Sequence, residues 1–516
     1  MVRGGRLLAI LPLLTLHRWS AAQLLHQDPG KSVPRIAVVG GGIGGTATAY
    51  FLHDLFGDDV LIDLYESGHV GGRLATLPIA GFQYEVGGSV IHPSNHYVSN
   101  FVSQFGLSHA KTCPHLTGLF NGEDYVFTSS NSDLIDAAKL FLRYGWDAYR
   151  IKKVPGAVLQ DFIKIYRLQQ EGQAFKDVAS LLSALSKDML RMTQVSTTDW
   201  LMEKGLSPQT INELVMSVAQ CNYGQTPAMH ALVGLIALAG ADSSLWSVEG
   251  GNKRIAEELL KHSRASLLHR QVTHVAPSTD TPDRFMVRSK EVEGLKNTLF
   301  TEAEVKVAAA AAEEYNAAPE GEELSREQEY DFVVLATPLT SDKSKIRLAN
   351  FTQQFTFPGH YEAIRTTMVR GVLRPESLMM TEDEVLDEVL VTNPKLMFNS
   401  FGLQTPVKDG TCKENAVGVW KIFSPHNIPE EHLDIFFKRR ESTDVVSWLA
   451  YPHYSSNQTL GNFELVPGLY HLNAIEWAGS AMEMSVIGAK NVALLTYKHW
   501  KNDPDAGRKA PVKEEL

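Results

Sequence analysis

The chain has 516 residues, of which 44% are hydrophobic and 21% charged, enough for a large core spread over two to three domains. The formal net charge is −11 and no long basic run occurs, which argues against nucleic acid as a partner. Three cysteines (Cys113, Cys221 and Cys412) are too few for a disulfide framework, and their odd number leaves at least one thiol free or paired between molecules.

The N-terminus predicts a secretory signal peptide over residues 1–22. Two arginines precede the apolar run Leu7–Leu16, and small residues at 20–22 provide a cleavage site. The run is too short for a membrane helix, although an N-terminal anchor is the alternative interpretation. Because no later segment has the roughly 18 uncharged apolar residues that a span needs, the sequence predicts no stable membrane span.

Residues 36–66 predict a nucleotide-binding unit made of a strand, a glycine turn, a helix and a second strand. Gly40, Gly42 and Gly45 form the pattern GxGxxG. The first glycine allows the tight turn, the second lets the backbone approach a pyrophosphate, and the third lets the helix pack on the strand. Phosphate binds the free N–H groups at the helix start, and Glu66 is placed to accept hydrogen bonds from a ribose hydroxyl. The sequence therefore predicts an adenine-dinucleotide site.

Two further glycine turns follow, and a nicotinamide enzyme has no need of them. In the first, Gly72 lets the chain pass close to a cofactor, and the planar guanidinium of Arg73 can pair with phosphate. In the second, Gly88 and Ser89 are followed by apolar chain that is suited to lie against a flat ring. These features favour FAD over NAD as the dinucleotide.

Two later segments have a strand pattern. The apolar stretch Tyr330–Leu335 predicts a strand that ends at a proline break. Near the C-terminus, residues 469–475 predict a strand that leads to Glu476, and a helix is predicted from about Ser480 to His499.

These segments resemble, in this order, the signatures of the flavin amine oxidase and phytoene desaturase superfamily. Longer stretches narrow the resemblance to the prenylcysteine oxidase family and its prenylcysteine-oxidase-like relatives; they are residues 70–76, 87–93, 222–225, 244–253, 448–454 and 481–485. The resemblance covers residues 34–500 and breaks down at 300–328. It implies that the strand at 330–335 returns to the nucleotide domain and that Glu476 lies near the ribityl chain of FAD. The glycine that usually precedes this acid is Ile475 here.

The resemblance also implies an activity. Members of the family cleave the thioether of farnesyl- or geranylgeranyl-cysteine with O₂ and water, giving a prenyl aldehyde, free cysteine and hydrogen peroxide. The polar residues expected nearest the flavin ring are His92, Tyr223 and Trp246. For each of them an ordinary structural role is the alternative, since a histidine bonded to backbone or a packed aromatic residue explains the sequence as well.

The predicted fold class is α/β, with a discontinuous Rossmann-like FAD-binding domain and an α+β substrate domain. The FAD-binding domain is expected over 33–110, 241–340 and 460–500, and the substrate-binding domain over 111–240 and 341–459. Helices are predicted at Asp133–Tyr149 and Gln160–Leu168, a solvent-exposed insertion at 301–324 and a polar tail at 501–516.

A long apolar tunnel is expected for the prenyl group, and Leu232–Leu238 with Met229 are candidates to line it, although an ordinary core helix explains them equally well. No metal site is predicted, because neither CxxC nor HExxH occurs and Pro93 interrupts the pair formed by His92 and His96.

The signal peptide makes Asn350 and Asn457 plausible glycosylation sites, since each begins a sequon. The resemblance points to the lysosome first, with secretion as an alternative; the final residues Lys513–Leu516 are similar to an endoplasmic reticulum retention signal. Association with a lipoprotein or a membrane surface is a further expectation.

Two alternative functions stay open: a related flavin oxidoreductase acting on an amine or a polyene, and a non-catalytic FAD-binding paralogue.

Overall fold

The computed structural model describes residues 33–111, 113, 115–241, 244–281, 283–292, 325–408 and 417–502. The predicted signal peptide, the predicted insertion over 301–324 and the C-terminal retention-like sequence lie outside the described residues. Within them, no helix is both long and apolar enough to cross a bilayer.

Helices and strands are numbered here in chain order. The helices are α1 (Ile43–Phe56), α2 (His96–Gln104), α3 (Asp133–Tyr144), α4 (Asp147–Phe162), α5 (Lys164–Gln170), α6 (Val178–Leu185), α7 (Lys187–Arg191), α8 (Thr197–Glu203), α9 (Pro208–Thr210), α10 (Met216–Tyr223), α11 (Ala231–Ala239), α12 (Lys253–Ser263), α13 (Glu430–Phe436) and α14 (Met482–Asn502). A π-helical segment covers Ile211–Val215, and 3₁₀ turns cover Pro375–Leu378 and Leu472–Trp477. The strands are β1 (Arg35–Val39), β2 (Leu61–Tyr65), β3 (Thr76–Ile79), β4 (Phe82–Glu85), β5 (Thr117–Phe120), β6 (Tyr125–Thr128), β7 (Ser266–Leu268), β8 (Arg270–Pro277), β9 (Phe285–Glu291), β10 (Ser325–Tyr330), β11 (Phe332–Leu335), β12 (Arg347–Leu348), β13 (Tyr361–Leu373), β14 (Glu388–Val391), β15 (Ser400–Leu403), β16 (Gly418–Ser424), β17 (Phe437–Pro452), β18 (Glu464–Val466) and β19 (Leu469–His471).

The nucleotide-binding fold is a six-stranded sheet in the order β18-β19-β11-β1-β2-β7, parallel except for β18. Side chains of β1 alternate between two cores. Ile36 and Val38 pack with the helices, while Ala37 and Val39 pack with a second sheet formed by β8, β9, β10 and β12. Burial on both faces explains why β1 is apolar from Ile36 to Val39 instead of alternating with polar residues.

The strand predicted at 330–335 does return to this sheet. β11 lies parallel to β1, with Ile36 opposite Phe332. The C-terminal segment follows the prediction less closely, because β19 is only three residues long and a 3₁₀ turn then carries Glu476. Ile475, where a glycine was expected, is fully buried and packs against Gly488 of α14. Helix α14 also extends through Asn502, into the region predicted to be a polar tail.

A seven-stranded sheet in the order β17-β13-β16-β15-β14-β5-β6 faces the nucleotide-binding fold, and helices α3 to α11 lie between β6 and α12 in sequence. The helix predicted over Asp133–Tyr149 is in fact two helices, because Gly145 adopts a positive φ of 58° and ends α3. The helix predicted over Gln160–Leu168 similarly spans the end of α4 and most of α5. Glycine adopts such a φ without steric cost, which makes it a common helix terminator.

Helix α14 is fixed to α2 by a buried carboxylate. Glu483 accepts hydrogen bonds from the backbone N–H groups of Tyr97 (2.8 Å) and Val98 (3.0 Å), in the first turn of α2, and from the hydroxyl of Tyr166 (2.8 Å). Burial raises the pKa of Glu483 to about 7, even though these donors favour the charged form.

We expect replacement of Glu483 by glutamine to change how stability depends on pH. The folded state holds the Glu483 proton more tightly than the unfolded chain, whose carboxyl has an ordinary pKa near 4.5. The wild-type protein therefore loses stability as the pH rises from about 4.5 to about 7, by up to about 3 kcal/mol from this group. Urea unfolding of wild type and Glu483→Gln at pH 5 and pH 7.5 measures the difference. Glu431→Gln, which changes an exposed acid, is the control. If the free energy of unfolding of Glu483→Gln depends on pH as that of the wild type does, the raised pKa of Glu483 is wrong.

Candidate functional site

The three glycines of the first turn are required for different reasons. A Cβ at Gly40, whose φ is 116°, would lie 2.5 Å from the carbonyl oxygen of Ala336, and a Cβ at Gly45 would lie 1.8 Å from the carbonyl oxygen of Gly40. At Gly42, by contrast, the nearest protein atom to an added Cβ is the Gly71 carbonyl oxygen, 3.9 Å away. Packing within the protein therefore requires Gly40 and Gly45 but leaves the space in front of Gly42 open. This open space is what the approach of a pyrophosphate needs.

The start of α1 supplies the positive end of a helix dipole beside that space. Gly42 caps α1 without a side-chain hydrogen bond, and its first turn has no acidic residue. Free N–H groups and the dipole together favour an anion here. Glu66 lies next to the turn and accepts hydrogen bonds from the N–H groups of Gly41 (2.6 Å) and Gly68 (2.5 Å). Burial raises the pKa of Glu66, yet its carboxylate keeps acceptor capacity for a ribose hydroxyl.

The second glycine turn packs directly against the first. Gly71 donates its N–H to the carbonyl oxygen of Gly41 (2.9 Å), and a Cβ at Gly72, whose φ is 59°, would lie 3.3 Å from the Cα of Gly42. The third turn is connected to the second because the N–H of Gly88 donates to the carbonyl oxygen of Arg73 (3.0 Å). The half-buried Ser89 follows. All three predicted glycine stretches thus lie in one region.

Asn252, at the start of α12, holds the third turn in place, and sequence reasoning did not identify it. Its side-chain amide donates to the carbonyl oxygen of Gly88 (3.0 Å), and its backbone N–H donates to Glu85 Oε1 (2.6 Å). Glu85 Oε2 has no hydrogen-bond partner within the described residues, and burial raises the pKa of Glu85 to about 7. The signals in the sequence were the glycine pair preceding Asn252 and its place in the stretch 244–253 that carries the family resemblance.

Arg73, beside the second glycine turn, and Glu476, in the 3₁₀ turn after β19, form a bidentate ion pair. Arg73 also donates to the Ala450 carbonyl oxygen (2.8 Å), and Glu476 accepts from the hydroxyl of Tyr361 (2.9 Å) and the amide of Asn473 (2.6 Å). The glutamate side chain is fully buried, whereas 32% of the arginine side chain is exposed. Burial opposes ionisation of Glu476, but the guanidinium lowers the pKa of Glu476 below its ordinary value. Both terminal nitrogens of Arg73 have protein acceptors, so its predicted contact with phosphate stays a prediction.

Lys343 adds a second basic side chain to this cluster, and no motif in the sequence points to it. Its ammonium nitrogen lies 4.5 Å from the centroid of the Tyr361 ring and donates to the Leu449 carbonyl oxygen (2.5 Å). Burial and, to a smaller extent, the neighbouring Arg73 lower the pKa of Lys343, and Glu476 opposes the shift, so that the pKa is about 7. Lys343 can therefore hold or release a proton near neutral pH.

The three residues predicted near the flavin ring fall into two groups. The Tyr223 hydroxyl donates to the backbone oxygen of Ser480, whose side chain accepts a hydrogen bond from Arg73, so Tyr223 joins the Arg73–Glu476 cluster. His92 and Trp246 belong to a second group, because Ile91 and Trp246 exchange backbone hydrogen bonds. Nδ1 of His92 accepts from the backbone N–H of Ser94 (3.1 Å). Trp246 stacks on His109 with ring centroids 3.9 Å apart. These contacts match the structural alternatives for His92 and Trp246, and their place at the flavin ring stays a prediction.

Helix α11, which contains most of the predicted tunnel residues, packs into the protein core. Leu232, Val233 and Leu235 are buried, as is Met229, whereas Ile236 and Leu238 are only partly buried. The core-helix alternative therefore accounts for most of this segment.

The residues present fit an adenine dinucleotide. Besides the open space at Gly42, two polar side-chain atoms near Glu476 are buried without a hydrogen-bond partner among the described residues: Nε2 of His471 and Oδ1 of Asn473. Burial lowers the pKa of His471 to about 4, so its ring is neutral at physiological pH. Buried polar atoms without a partner are rare in proteins and are consistent with a ligand that supplies the missing partners.

Comparison with known protein families shows to which family the chain belongs. Residues 127–507 match the family model described as prenylcysteine lyase, and residues 38–105 match the model of an NAD(P)-binding Rossmann-like domain. The chain belongs to the prenylcysteine lyase family. Prenylcysteine oxidase 1 of Bos taurus is 36% identical over 488 residues, which cover 92% of this chain and 91% of that protein. Prenylcysteine oxidase 1-like of Homo sapiens is 33% identical over 515 residues, covering 98% and 97% of the two chains.

The chain also shares its fold with solved structures of other proteins. Cyclohexylamine oxidase from Brevibacterium oxydans IH-35A aligns with a TM-score of 0.53 at 14% identity, covering 91% of this chain and all of that one. The predicted Rossmann-like α/β fold and the predicted family are confirmed.

One group of side chains outside the cluster has the composition of a metal site, although the sequence predicted none. His360 directly before β13, Glu362 on β13 and His453 after β17 bring their ligand atoms within 4.8 Å of one another. The rings of the two histidines stack, and Nδ1 of His453 contacts Glu362. This group lies on the opposite side of β13 from the intervening Tyr361, which points towards Glu476.

Proposed function

We propose that this protein is an FAD-dependent oxidoreductase that cleaves the thioether of prenylated cysteines. The reaction consumes O₂ and water and yields a prenyl aldehyde, free cysteine and hydrogen peroxide. The open space at Gly42 beside the uncapped start of α1 is the structural observation that supports a dinucleotide. The names of the relatives, at 33–36% identity over nearly the whole chain, support the substrate.

FAD, when bound, supplies the acceptor for the hydride of the prenyl carbon next to sulfur and the path of its electrons to O₂. In this proposal the start of α1 binds the pyrophosphate, Glu66 binds the adenosine ribose, and Glu476 binds near the ribityl chain. Arg73 fixes the orientation of the Glu476 carboxylate. The third glycine turn, held by Asn252, lies against the ring.

Lys343 is positioned to donate and accept a proton during oxidation of the substrate. With a pKa of about 7, its ammonium can give up a proton near neutral pH and take one back, and Tyr361 links it to Glu476. The buried surroundings exclude bulk water, so such a transfer depends on these side chains.

The decisive experiment adds farnesylcysteine to the purified yellow protein in air. Peroxide and farnesal in equal amounts support the proposal, and the absorbance spectrum before and after denaturation shows the flavin and whether it is released. An unbleached flavin with every substrate would instead identify a non-catalytic paralogue.

A related flavin oxidoreductase acting on amines is the second candidate, and one observation favours it. Lys343 and several tyrosines line the same cluster, including Tyr361 and Tyr454, whose hydroxyl donates to the Glu476 carbonyl oxygen (3.0 Å). A buried lysine and an aromatic wall suit a site that takes a neutral amine. Flavin bleaching by a primary or secondary amine, but not by farnesylcysteine, would establish this alternative.

We expect His92→Ala to lower turnover of farnesylcysteine at least about tenfold while flavin content stays normal, since the imidazole would position water or contact the ring. His92→Asn is the matched variant, because its side-chain oxygen can still accept from the Ser94 N–H. Steady-state aldehyde formation is the measurement. Full activity in His92→Asn would show that His92 only supports the turn.

We also propose that helices α3 and α4 contact a lipid surface, the source of prenylated material. Large apolar side chains are exposed along this segment, including Leu142 (86% exposed), Leu134 (81%) and Trp146 (69%). Such a group of exposed apolar residues marks an interaction site, and the exposed Lys152 and Lys153 on the next turns complement anionic headgroups.

Flotation with vesicles that contain phosphatidylserine tests this contact. Leu134→Asp combined with Leu142→Asp should reduce the bound fraction at least about fivefold. Ile435→Asp, which changes an exposed apolar residue on α13, is the control. Equal binding by the double variant and the control would overturn the proposal.

We propose that the protein passes through the secretory pathway, is glycosylated and reaches the lysosome. Asn350 and Asn457 are exposed, Cys113 is disulfide-bonded, and Cys221 is a free thiol. A disulfide favours an oxidising compartment. Glycosidase treatment of Asn350→Gln and Asn457→Gln expressed in animal cells, with imaging of the tagged chain, tests this route; secretion and endoplasmic reticulum retention are the alternatives.

A further inference from the structure

Three side chains that can bind a metal ion meet where β13 begins and β17 ends. Tyr361 is opposite Pro452 in this antiparallel pair of strands. One residue further out, the backbone N–H of His453 donates to the carbonyl oxygen of His360 (2.9 Å). His360 and Glu362 flank Tyr361 in sequence, so in extended chain their side chains point to the same face. The pairing of the two strands therefore brings His453 beside both of them.

The face that carries these three side chains is open to solvent, whereas the opposite face belongs to the cofactor region. The two histidines are exposed and the glutamate is partly exposed. Tyr361 and Tyr454, which are their neighbours in sequence, are buried. The hydroxyls of these tyrosines donate to the side chain (2.9 Å) and to the backbone oxygen (3.0 Å) of Glu476. The three side chains thus lie outside the site described above, where an ion can reach them from solution.

The three side chains have the composition of a zinc site. Two imidazoles and one carboxylate are a common set of protein ligands for Zn²⁺, with water in the fourth position, whereas Mg²⁺ and Ca²⁺ prefer oxygen ligands. Tetrahedral zinc needs ligand atoms roughly 3.4 Å apart, since each lies about 2.0–2.1 Å from the ion. The ligand atoms here lie within 4.8 Å of one another. Because the two imidazole rings are stacked, with 14° between their planes, one of them has to turn, and their exposure leaves room for this.

An ordinary contact between a histidine and a carboxylate is the other explanation for this group. Nδ1 of His453 does contact Glu362. That contact accounts for two of the three side chains and gives the imidazole of His360 no part in binding. The two explanations therefore differ in what they expect when His360 is replaced.

We propose that His360, Glu362 and His453 bind one Zn²⁺ ion, with water as the fourth ligand. The ion connects the start of β13 to the end of β17. It thereby holds in place the two segments whose tyrosines contact Glu476 from the other face of the strands. The role of the ion is structural, since it lies on the outer face. The inference is independent of the proposed function.

Calorimetric titration with ZnCl₂ tests the site in the full-length flavoprotein, after dialysis against a chelator. We expect the wild type to have one tight site, which is at least about tenfold weaker in His360→Ala and in His453→Ala. Glu362→Gln, which removes the charge but keeps the size of the side chain, should also weaken binding. His426→Ala is the control, because it removes an exposed histidine elsewhere on the surface and should bind zinc as the wild type does.

Thermal unfolding provides a second readout. Saturating zinc should raise the Tm of the wild type and of His426→Ala by at least about 2 °C, because the ion binds the folded chain, and should raise that of His360→Ala much less. MgCl₂ should leave all three unchanged.

Three results would each overturn the inference. They are the absence of zinc binding in the wild type, equal affinity of the wild type for Mg²⁺ and Zn²⁺, and undiminished zinc binding by His360→Ala. The last result would leave only the ordinary contact of Glu362 with His453. Each of them can occur whether or not the protein oxidises farnesylcysteine, so the proposed function is tested separately.

Discussion

Substitution of Gly42 by valine should yield a folded but colourless protein. The nearest protein atom to a Cβ at this position is 3.9 Å away, and the backbone there (φ −68°, ψ 177°) suits any residue. The side chain would instead occupy the space in front of α1 where the pyrophosphate is expected. We therefore expect the ratio of flavin to protein to fall at least about tenfold.

Two other glycines give this experiment its controls. Gly156→Ala, in α4, adds a methyl group to a position with no atom within 4 Å and should retain both fold and flavin. Gly45→Ala would place a Cβ 1.8 Å from the Gly40 carbonyl oxygen and should disrupt the fold itself. Circular dichroism separates loss of fold from loss of cofactor. Normal flavin content in Gly42→Val would refute the assigned site.

Replacement of Arg73 by methionine should cause a large loss of stability in a protein that still folds. It leaves the fully buried Glu476 carboxylate without its bidentate partner. Removing one member of a buried pair typically costs 3–5 kcal/mol, and because the Arg73 side chain is 32% exposed we expect about 3 kcal/mol. The midpoint of urea unfolding of the flavin-free protein measures this loss, and the flavin content should fall as well.

Two further variants test whether the charge of Glu476 is the cause. Adding Glu476→Gln to Arg73→Met removes the uncompensated charge and should restore much of the lost stability, although not flavin binding. Arg288→Met, which breaks an ion pair whose side chains are about half exposed, should change stability by less than about 1 kcal/mol. If the double variant is no more stable than Arg73→Met alone, packing rather than charge explains the loss.

The nucleotide-binding unit was predictable because its determinants are local. The strand, turn and helix at 36–56 follow from a short apolar run and from glycines whose spacing reflects contacts within about thirty residues. Glu66 was predictable for the same reason. The split of the helix at Gly145 has a local cause, a positive φ that the helical pattern on either side masked, whereas the 3₁₀ turn after β19 depends on the packing of Ile475 against Gly488 of α14.

The rest of the candidate site depends on long-range contacts and could not be predicted. Lys343 and Tyr361 have no motif around them, and the glycine pair before Asn252 does not reveal the contact of Asn252 with Gly88. All three reach the site because β13, α12 and the segment after β11 converge there. Sequence patterns report which residues face a core but not which residues meet across it.

The pair of Arg73 and Glu476 joins positions 403 residues apart. Strands of the six-stranded sheet likewise come from the beginning, middle and end of the chain, and β19 and α14 complete it last during synthesis. A ribosome-bound chain in which β19 and α14 have not yet been made therefore has the glycine turns but lacks the partner of Arg73. Acquisition of the prosthetic group should follow synthesis of α14, so premature termination upstream of α14 should produce polypeptides that chaperones recognise as unfinished.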